Sequence, residues 1–170
     1  MHGPAAVGWL LVAVCALAGA VCCARAWHLR GRAREAAAAE AAMGGAMALM
    51  AFPGGPLPPL GYVAVFAALA GWALTLLVRG AGHQLHHVTE AGAMGYLAAV
   101  MATGQHSGPA LVGGALALYF AAHALRTGAR GLVPAPVTAA GPAVPWPAFP
   151  GVTHGCRLAL SLAMCPMLVL

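Results

Sequence analysis

Six long apolar segments account for most of this 170-residue chain. Most of them reach the roughly 17–25 residues that a tilted helix needs to cross the hydrocarbon core of a bilayer. Their length and their Ala- and Leu-rich composition exclude the strands of a membrane barrel. The sequence therefore predicts an all-α polytopic membrane bundle of six transmembrane helices, forming one integral membrane domain, with spans at approximately 4–24, 36–53, 60–78, 85–103, 108–125 and 154–170.

Charged side chains are scarce. Eight Arg and three Glu carry all the formal charge, and charged residues make up 6% of the chain, against about 25% in a typical globular domain. So few charges cannot cover the surface of a water-soluble globule, which excludes a soluble enzyme, a disordered tail and a nucleic-acid-binding module. The expected partners are the lipid bilayer and a membrane protein or a second copy of the chain, with no nucleic acid.

The positions of the arginines predict an orientation. Four Arg follow the first apolar segment, one follows the third, two follow the fifth, and Arg157 lies at the start of the sixth. Cytoplasmic loops carry an excess of Arg and Lys, so six spans with both termini outside place every Arg on the cytoplasmic side. The Pro-rich stretch 131–153 is then a cytoplasmic loop.

Frequent Ala, Gly, Pro and Arg without Lys are typical of a GC-rich bacterial genome, and the expected location is the bacterial plasma membrane.

The fourth segment carries potential metal ligands on one helix face. At 100° per residue, six potential ligands fall within an arc of about 100°: His83, His86, His87, Glu90, Met94 and Met101. The i,i+4 spacing of His83 and His87 lets two imidazoles reach one metal ion, and Glu90 follows one turn later. His86 lies at the edge of the arc and is typical of a residue at the lipid interface.

Two other segments repeat this pattern. Glu40, Met43, Met47 and Met50 share an arc of about 80° on the second segment, and the sixth carries His154, Arg157 and Met164. His123 lies near the inner end of the fifth. The predicted orientation places imidazoles and carboxylates near the cytoplasm and thioethers in the middle and outer layers. We therefore expect spans two, four and six to pack together, with Met43, Met47, Met94 and Met164 around an axis that runs outward from His83 and His87.

Thioether ligands select Cu(I), and imidazole serves both copper oxidation states. The pattern therefore favours copper binding or handling, with His83, His87, Glu90, Met94, Met101, Met43, Met47, Met50, His123, His154 and Met164 as candidate ligands. Catalysis has less support, because the chain lacks Asp, a His-Glu-x-x-His motif and a Gly-x-Ser-x-Gly motif.

Other interpretations remain open. Methionine often fills cores, so the protein could be a structural or assembly subunit without a metal. The two glutamates could simply pair with Arg157, Arg126 or Arg79, although Glu90 is expected to face the bundle interior near Arg157 or a His of another helix. A b-type haem would need axial His residues on facing helices, which His87 with His123 or His154 could supply. The five Cys are read as small apolar residues.

Three stretches carry a family resemblance. They are MHGPAAVGWLL at the start, EAAMGGAMALMAFP from Glu40, and HQLHHVTEAGAMGYLAAVMA from His83. Together they resemble a family of small actinobacterial multi-spanning membrane proteins that is described only as a domain of unknown function. The resemblance implies a membrane location and makes the His and Met pattern a family feature, but it implies no activity.

Overall fold

The computed structural model describes residues 3–80, 84–104, 108–132 and 146–169. These residues form six α-helices and no strand, which confirms the all-α prediction. A single turn of 3-10 helix, Trp146–Ala148, precedes the last helix. The helices are α1 (Gly3–His28), α2 (Gly31–Ala51), α3 (Pro59–Val78), α4 (Gln84–Ala102), α5 (Ala110–Leu132) and α6 (Pro150–Val169).

The helices pack mainly as three consecutive pairs, α1 with α2, α3 with α4 and α5 with α6. The α1–α2 link is very short, and Gly31 at its end has φ 59°. This left-handed conformation favours glycine, which has no Cβ to clash. The pairs are joined by contacts of α1 with α6, α2 with α3, and α4 with both α2 and α6. The polar helices α2, α4 and α6 therefore meet inside the bundle, as predicted.

Helices α1 and α2 approach each other closely at two glycines. A Cβ added to Gly44 would lie 2.9 Å from the backbone oxygen of Cys15 and 3.0 Å from the Cα of Gly19. Small residues at such a crossing let helix backbones come into contact, which is how helices gain packing energy in lipid. This close approach brings the buried face of α2 towards the C-terminal half of α1.

The arginines gather at one end of the bundle, which we call the arginine end. It contains the C-terminal ends of α1, α3 and α5 and the N-terminal ends of α2, α4 and α6. Arg32 on α2 lies beside Gly80 after α3, and Arg130 on α5 lines a cavity with Arg157 on α6. The opposite end is marked by the edge-to-face contact of Trp9 and Phe52.

Several helices extend beyond the predicted spans at the arginine end. Helix α2 begins at Gly31 rather than 36, α5 continues to Leu132 rather than 125, and α6 begins at Pro150 rather than 154. On α2 and α5 the predicted spans end where the first Arg interrupts the apolar pattern, whereas the helical backbone continues past these Arg. The predicted loop 131–153 is correspondingly shorter, and its residues 133–145 lie outside the described part of the chain.

Three helices within the described residues are long and apolar enough to cross a membrane: Ala6–His28, Pro59–Val78 and Ala110–Arg130. Six such helices were predicted. Helices α2, α4 and α6 have 21, 19 and 20 residues, so composition rather than length separates them from the other three. They carry the buried carboxylates Glu40 and Glu90 and the half-buried Arg157.

Candidate functional site

Buried charged side chains join four helices near the arginine end. Glu40 on α2 is 1% exposed. Its Oε1 accepts a hydrogen bond from Arg157 Nε on α6 at 2.8 Å, and its Oε2 accepts one from Arg25 Nη1 on α1 at 3.1 Å. His87 Nε2 on α4 lies 3.6 Å from Glu40 Oε1. One carboxylate therefore connects α1, α4 and α6 to α2.

Glu90 is the second buried carboxylate, and it is 1% exposed. Its Oε2 lies 2.8 Å from His87 Nδ1, and its Oε1 lies 3.0 Å from His86 Nε2. The predicted interior position of Glu90 is confirmed, but its partners lie on its own helix. We call the set Arg25, Glu40, His86, His87, Glu90 and Arg157 the charge network.

The charge network balances two carboxylates with two guanidinium groups. Buried ions are costly unless each is paired and hydrogen-bonded. Both oxygens of Glu40 and Oε2 of Glu90 have hydrogen-bond partners, whereas Glu90 Oε1 lies near His86 without a hydrogen bond among the described residues. His87 lies between them, with one ring nitrogen directed at Glu90 and the other at Glu40. The imidazole is hydrogen-bonded to Glu90 and lies within ion-pair distance of Glu40, so it places a polar ring between the two carboxylates.

His86 links the charge network to α5 and α6. Its Nδ1 lies 3.3 Å from the Tyr119 hydroxyl, and its Nε2 lies 3.0 Å from Ser161 Oγ. Its ring stacks on that of His123, with centroids 3.4 Å apart and 10° between the planes. The side chain is 7% exposed, so the prediction of an interfacial His86 is wrong. It is buried because α5 and α6 both cover this face of α4.

A cavity of about 270 Å³ opens beside this stack. Its lining is mostly basic and hydrogen-bonding. The predicted ligand His154 lines the cavity, and its Nδ1 also lies 2.8 Å from the Pro150 carbonyl oxygen of its own helix. The lining residues are Leu85, His86, His87, Tyr119, His123, Thr127, Arg130, His154 and Arg157.

Four buried methionines occupy the centre of the bundle. Met47, Met94 and Met164 are 0% exposed and Met43 is 2% exposed. All four belong to one buried apolar cluster, which also contains Cys15 of α1. We call Met43, Met47, Met94 and Met164 the methionine column. Its members come from α2, α4 and α6, so the four methionines that were predicted to pack together lie in one cluster. His83, from which their shared axis was predicted to run, lies outside the described residues.

A second cavity lies at the end of the bundle opposite the arginine end. It has a volume of about 140 Å³ and an almost entirely apolar lining. Met94 lines it together with three further methionines, so one residue belongs both to the methionine column and to the cavity. The lining residues are Leu11, Met50, Ala51, Met94, Leu97, Met101 and Met167. Methionine side chains therefore line this cavity and also belong to the buried cluster beside it.

The imidazoles and carboxylates that were predicted to bind a metal are not arranged around a common point in the described residues. Among the described residues, no group of three or more His, Cys, Asp and Glu side chains is arranged to hold a metal ion. His87 and Glu90 bond to each other, and the predicted partner His83 lies outside the described residues. The thioethers of the methionine column are soft donors, the kind of ligand that Cu(I) prefers.

The residues fit a haem poorly. An axial histidine needs a free ring nitrogen, but the two nitrogens of His87 are directed at Glu90 and Glu40. His123 lies flat against His86 at a ring-centroid distance of 3.4 Å, which leaves no room for a porphyrin between the rings. Ligation by this pair would require both sets of contacts to break.

Two site residues were missed by the sequence analysis. Arg25 was read only as an orientation signal, yet it is 5% exposed and donates to Glu40, to the Pro147 carbonyl oxygen and to Thr153 Oγ1. Cys22 donates to Glu40 Oε2 at 3.6 Å. Their spacing from each other on α1 places both on the face towards α2, but only the helix packing reveals their shared partner.

Comparison with known proteins identifies the family of this chain. No curated protein and no solved structure matches this chain. A family model described as "Domain of unknown function (DUF5134)" matches residues 32–170. The match covers α3 to α6 completely, all but the first residue of α2, and every member of the methionine column. The chain therefore belongs to the DUF5134 family of proteins with a domain of unknown function.

Proposed function

We propose that this protein is a multi-pass membrane protein that binds and handles Cu(I) through the methionine column. The supporting observation is the convergence of thioethers from three helices. Met43, Met47, Met94 and Met164 are buried in one cluster, and Met94 also faces the cavity lined by Met50, Met101 and Met167. Seven methionines thus form one continuous region.

Thioether chemistry suits an ion that must enter an apolar interior. A methionine sulfur is a neutral, polarizable ligand, so it adds no charge to the bundle and needs no counter-ion of its own. Cu(I) bound there brings a single positive charge. The carboxylates Glu40 and Glu90 lie towards the arginine end and favour a cation by their charge, while Arg25 and Arg157 limit that attraction.

The proposed arrangement has six membrane spans, both termini outside and the arginine end in the cytoplasm of a bacterial cell. Three helices are apolar enough to span by composition. Helices α2 and α4 turn Glu40, Glu90 and His87 inward, where each is at most 2% exposed. Arg157 of α6 is paired with Glu40. These charges therefore do not prevent contact of the outer faces of the three helices with lipid. The cavity lined by Met50, Met94, Met101 and Met167 would then face the outside of the cell.

The deciding experiment measures copper in protein purified without oxygen. The double variant Met47→Leu with Met94→Leu conserves side-chain volume, so packing should cost less than about 1.5 kcal/mol for each exchange. We expect its bound copper to fall sharply below that of the parent. The control Leu76→Met makes the reverse exchange at a buried position of α3 that lies outside the cluster, and it should retain the parent's copper.

A structural or assembly subunit is the second candidate. Met47, Met94 and Met164 are completely buried. This burial is equally expected if they only fill the core, because methionine packs well in irregular apolar spaces. This function would be favoured if parent and double variant bound equal amounts of copper, or if neither bound any. A partner membrane protein, or a homo-oligomer, should then co-purify in mild detergent.

A further inference from the structure

The cavity of about 270 Å³ at the arginine end, which we call the basic cavity, takes no part in the proposed binding of Cu(I). It lies between α4 on one side and the pair of α5 and α6 on the other. Arg130 of α5 and Arg157 of α6 line it, and Tyr119 and Thr127 add hydroxyl groups. Within the described part of the chain, no Asp or Glu lines the basic cavity. Its lining therefore suits an anion.

The two guanidinium groups have donors that such an anion can use. Arg157 donates to Glu40 through Nε, and both of its Nη groups are without a hydrogen bond to the described residues. Arg130 is exposed and belongs to none of the ion pairs of the charge network. Guanidinium groups bind phosphate oxygens through paired N–H donors. Glu40 and Glu90 are each 1% exposed and are balanced within the charge network, so Arg130 is the positive charge in excess.

The size and the rim of the basic cavity favour a small phosphate-bearing ligand. Its volume of about 270 Å³ is close to the lower end of the roughly 300–1,000 Å³ that is common for small-molecule sites. Basic pockets between membrane helices hold the headgroups of anionic lipids on the cytoplasmic side. Leu85 lines the same cavity and is 64% exposed. An apolar side chain that would face lipid therefore adjoins the basic groups.

We propose that the basic cavity binds a phosphate group, with Arg130 and Arg157 as charged donors and Thr127 as a neutral donor. An anionic phospholipid headgroup and inorganic phosphate both present this chemistry. The exposed Leu85 favours the phospholipid, because its acyl chains would lie against the outer faces of α4 and α5. The proposal is independent of Cu(I), since no methionine lines the basic cavity within the described residues.

The test measures ligand binding to the metal-free full chain in detergent. The ligands are phosphatidylglycerol and phosphate-free diacylglycerol with the same acyl chains, which native mass spectrometry detects, and inorganic phosphate, which calorimetry detects. Arg130→Gln removes a charged hydrogen bond and should weaken binding of phosphatidylglycerol by roughly tenfold or more. Thr127→Val removes a neutral one and should weaken it by roughly two- to tenfold. Arg126→Gln is the matched control and should bind as the parent does, because Arg126 is an exposed residue of α5 that does not line the cavity.

The two sources of phosphate give different results. Binding of phosphatidylglycerol without binding of inorganic phosphate identifies the lipid headgroup as the ligand. Inorganic phosphate that binds the parent and displaces the lipid identifies a site that also takes free phosphate. The proposal is overturned if the parent binds neither, or if it binds diacylglycerol as tightly as phosphatidylglycerol. Equal binding by Arg130→Gln and Arg126→Gln would overturn it as well, and Thr127→Val decides the question if Arg130→Gln does not fold.

Discussion

Arg157 and Glu40 form a direct ion pair between α6 and α2, with Arg157 Nε 2.8 Å from Glu40 Oε1. Arg25 of α1 contacts the other oxygen of the same carboxylate at 3.1 Å. One acidic side chain thus joins α1, α2 and α6. These ion pairs link α1 and α6 to α2 at the arginine end of the bundle.

Replacement of Glu40 should therefore destabilise the bundle. Glu40→Gln leaves Arg25 and Arg157 without a counter-charge in a buried position, and loss of one partner of a buried ion pair costs about 3–5 kcal/mol. The melting temperature of the purified protein in detergent measures the effect. Glu35→Gln is the control, because Glu35 is an exposed residue of the same helix; equal melting temperatures for the two variants would contradict the structural role of Glu40.

The His86–His123 stack should stabilise the contact between α4 and α5. Loss of the ring in His123→Ala should lower the free energy of unfolding by about 0.5–1.5 kcal/mol beyond the effect of lost area, the range measured for aromatic pairs. His123→Phe keeps a flat ring and should restore most of that loss. Chemical unfolding in detergent compares the two, with His154→Ala as the control since His154 is partly exposed. A larger loss for His123→Phe than for His123→Ala would exclude stacking as the cause.

Adjacent glycines on α2 should respond in opposite directions. A Cβ at position 44 would lie 2.9 Å from the Cys15 carbonyl oxygen, whereas one at position 45 would meet nothing within 4 Å. Gly44→Ala should thus force α1 and α2 apart at a cost of about 1–3 kcal/mol. Gly45→Ala should be neutral or stabilising by up to about 1 kcal/mol, because alanine favours helix. Thermal unfolding of the two variants checks this, and destabilisation by Gly45→Ala alone would refute the proposed helix crossing.

Reporter fusions test the proposed membrane arrangement. With six spans, a fusion at residue 140 should report the cytoplasm, and a fusion at the C-terminus should report the outside. A third fusion in the link 52–58 between α2 and α3 should agree with the C-terminal one. Paired reporters that are active on opposite sides of the membrane give the measurement. The same side for residue 140 and the C-terminus would mean that α6 does not cross.

The amino-acid sequence by itself determined the helices and the faces that meet. Long apolar segments can satisfy their backbone groups in lipid only as helices, and the helical period places Met43, Met47 and Glu40 on one side of α2. These are local properties, so they required no knowledge of neighbours. The same reasoning identified Met94 and Met164 as partners of that face, and the structure places all of them in one cluster.

Tertiary structure alone decided the chemistry at the arginine end. Arg25 follows an apolar segment, as the arginines on the cytoplasmic side of a membrane span commonly do. Its ion pair with Glu40 exists only because α2 packs against α1. His86 changed from an expected interfacial residue to a buried one because α5 and α6 cover it. Cys22 of α1 likewise becomes a donor to Glu40 of α2 only through the packing of these helices. A helical period predicts which way a side chain points, but its partners depend on which helices pack beside it, and that arrangement follows from contacts distributed over the whole bundle.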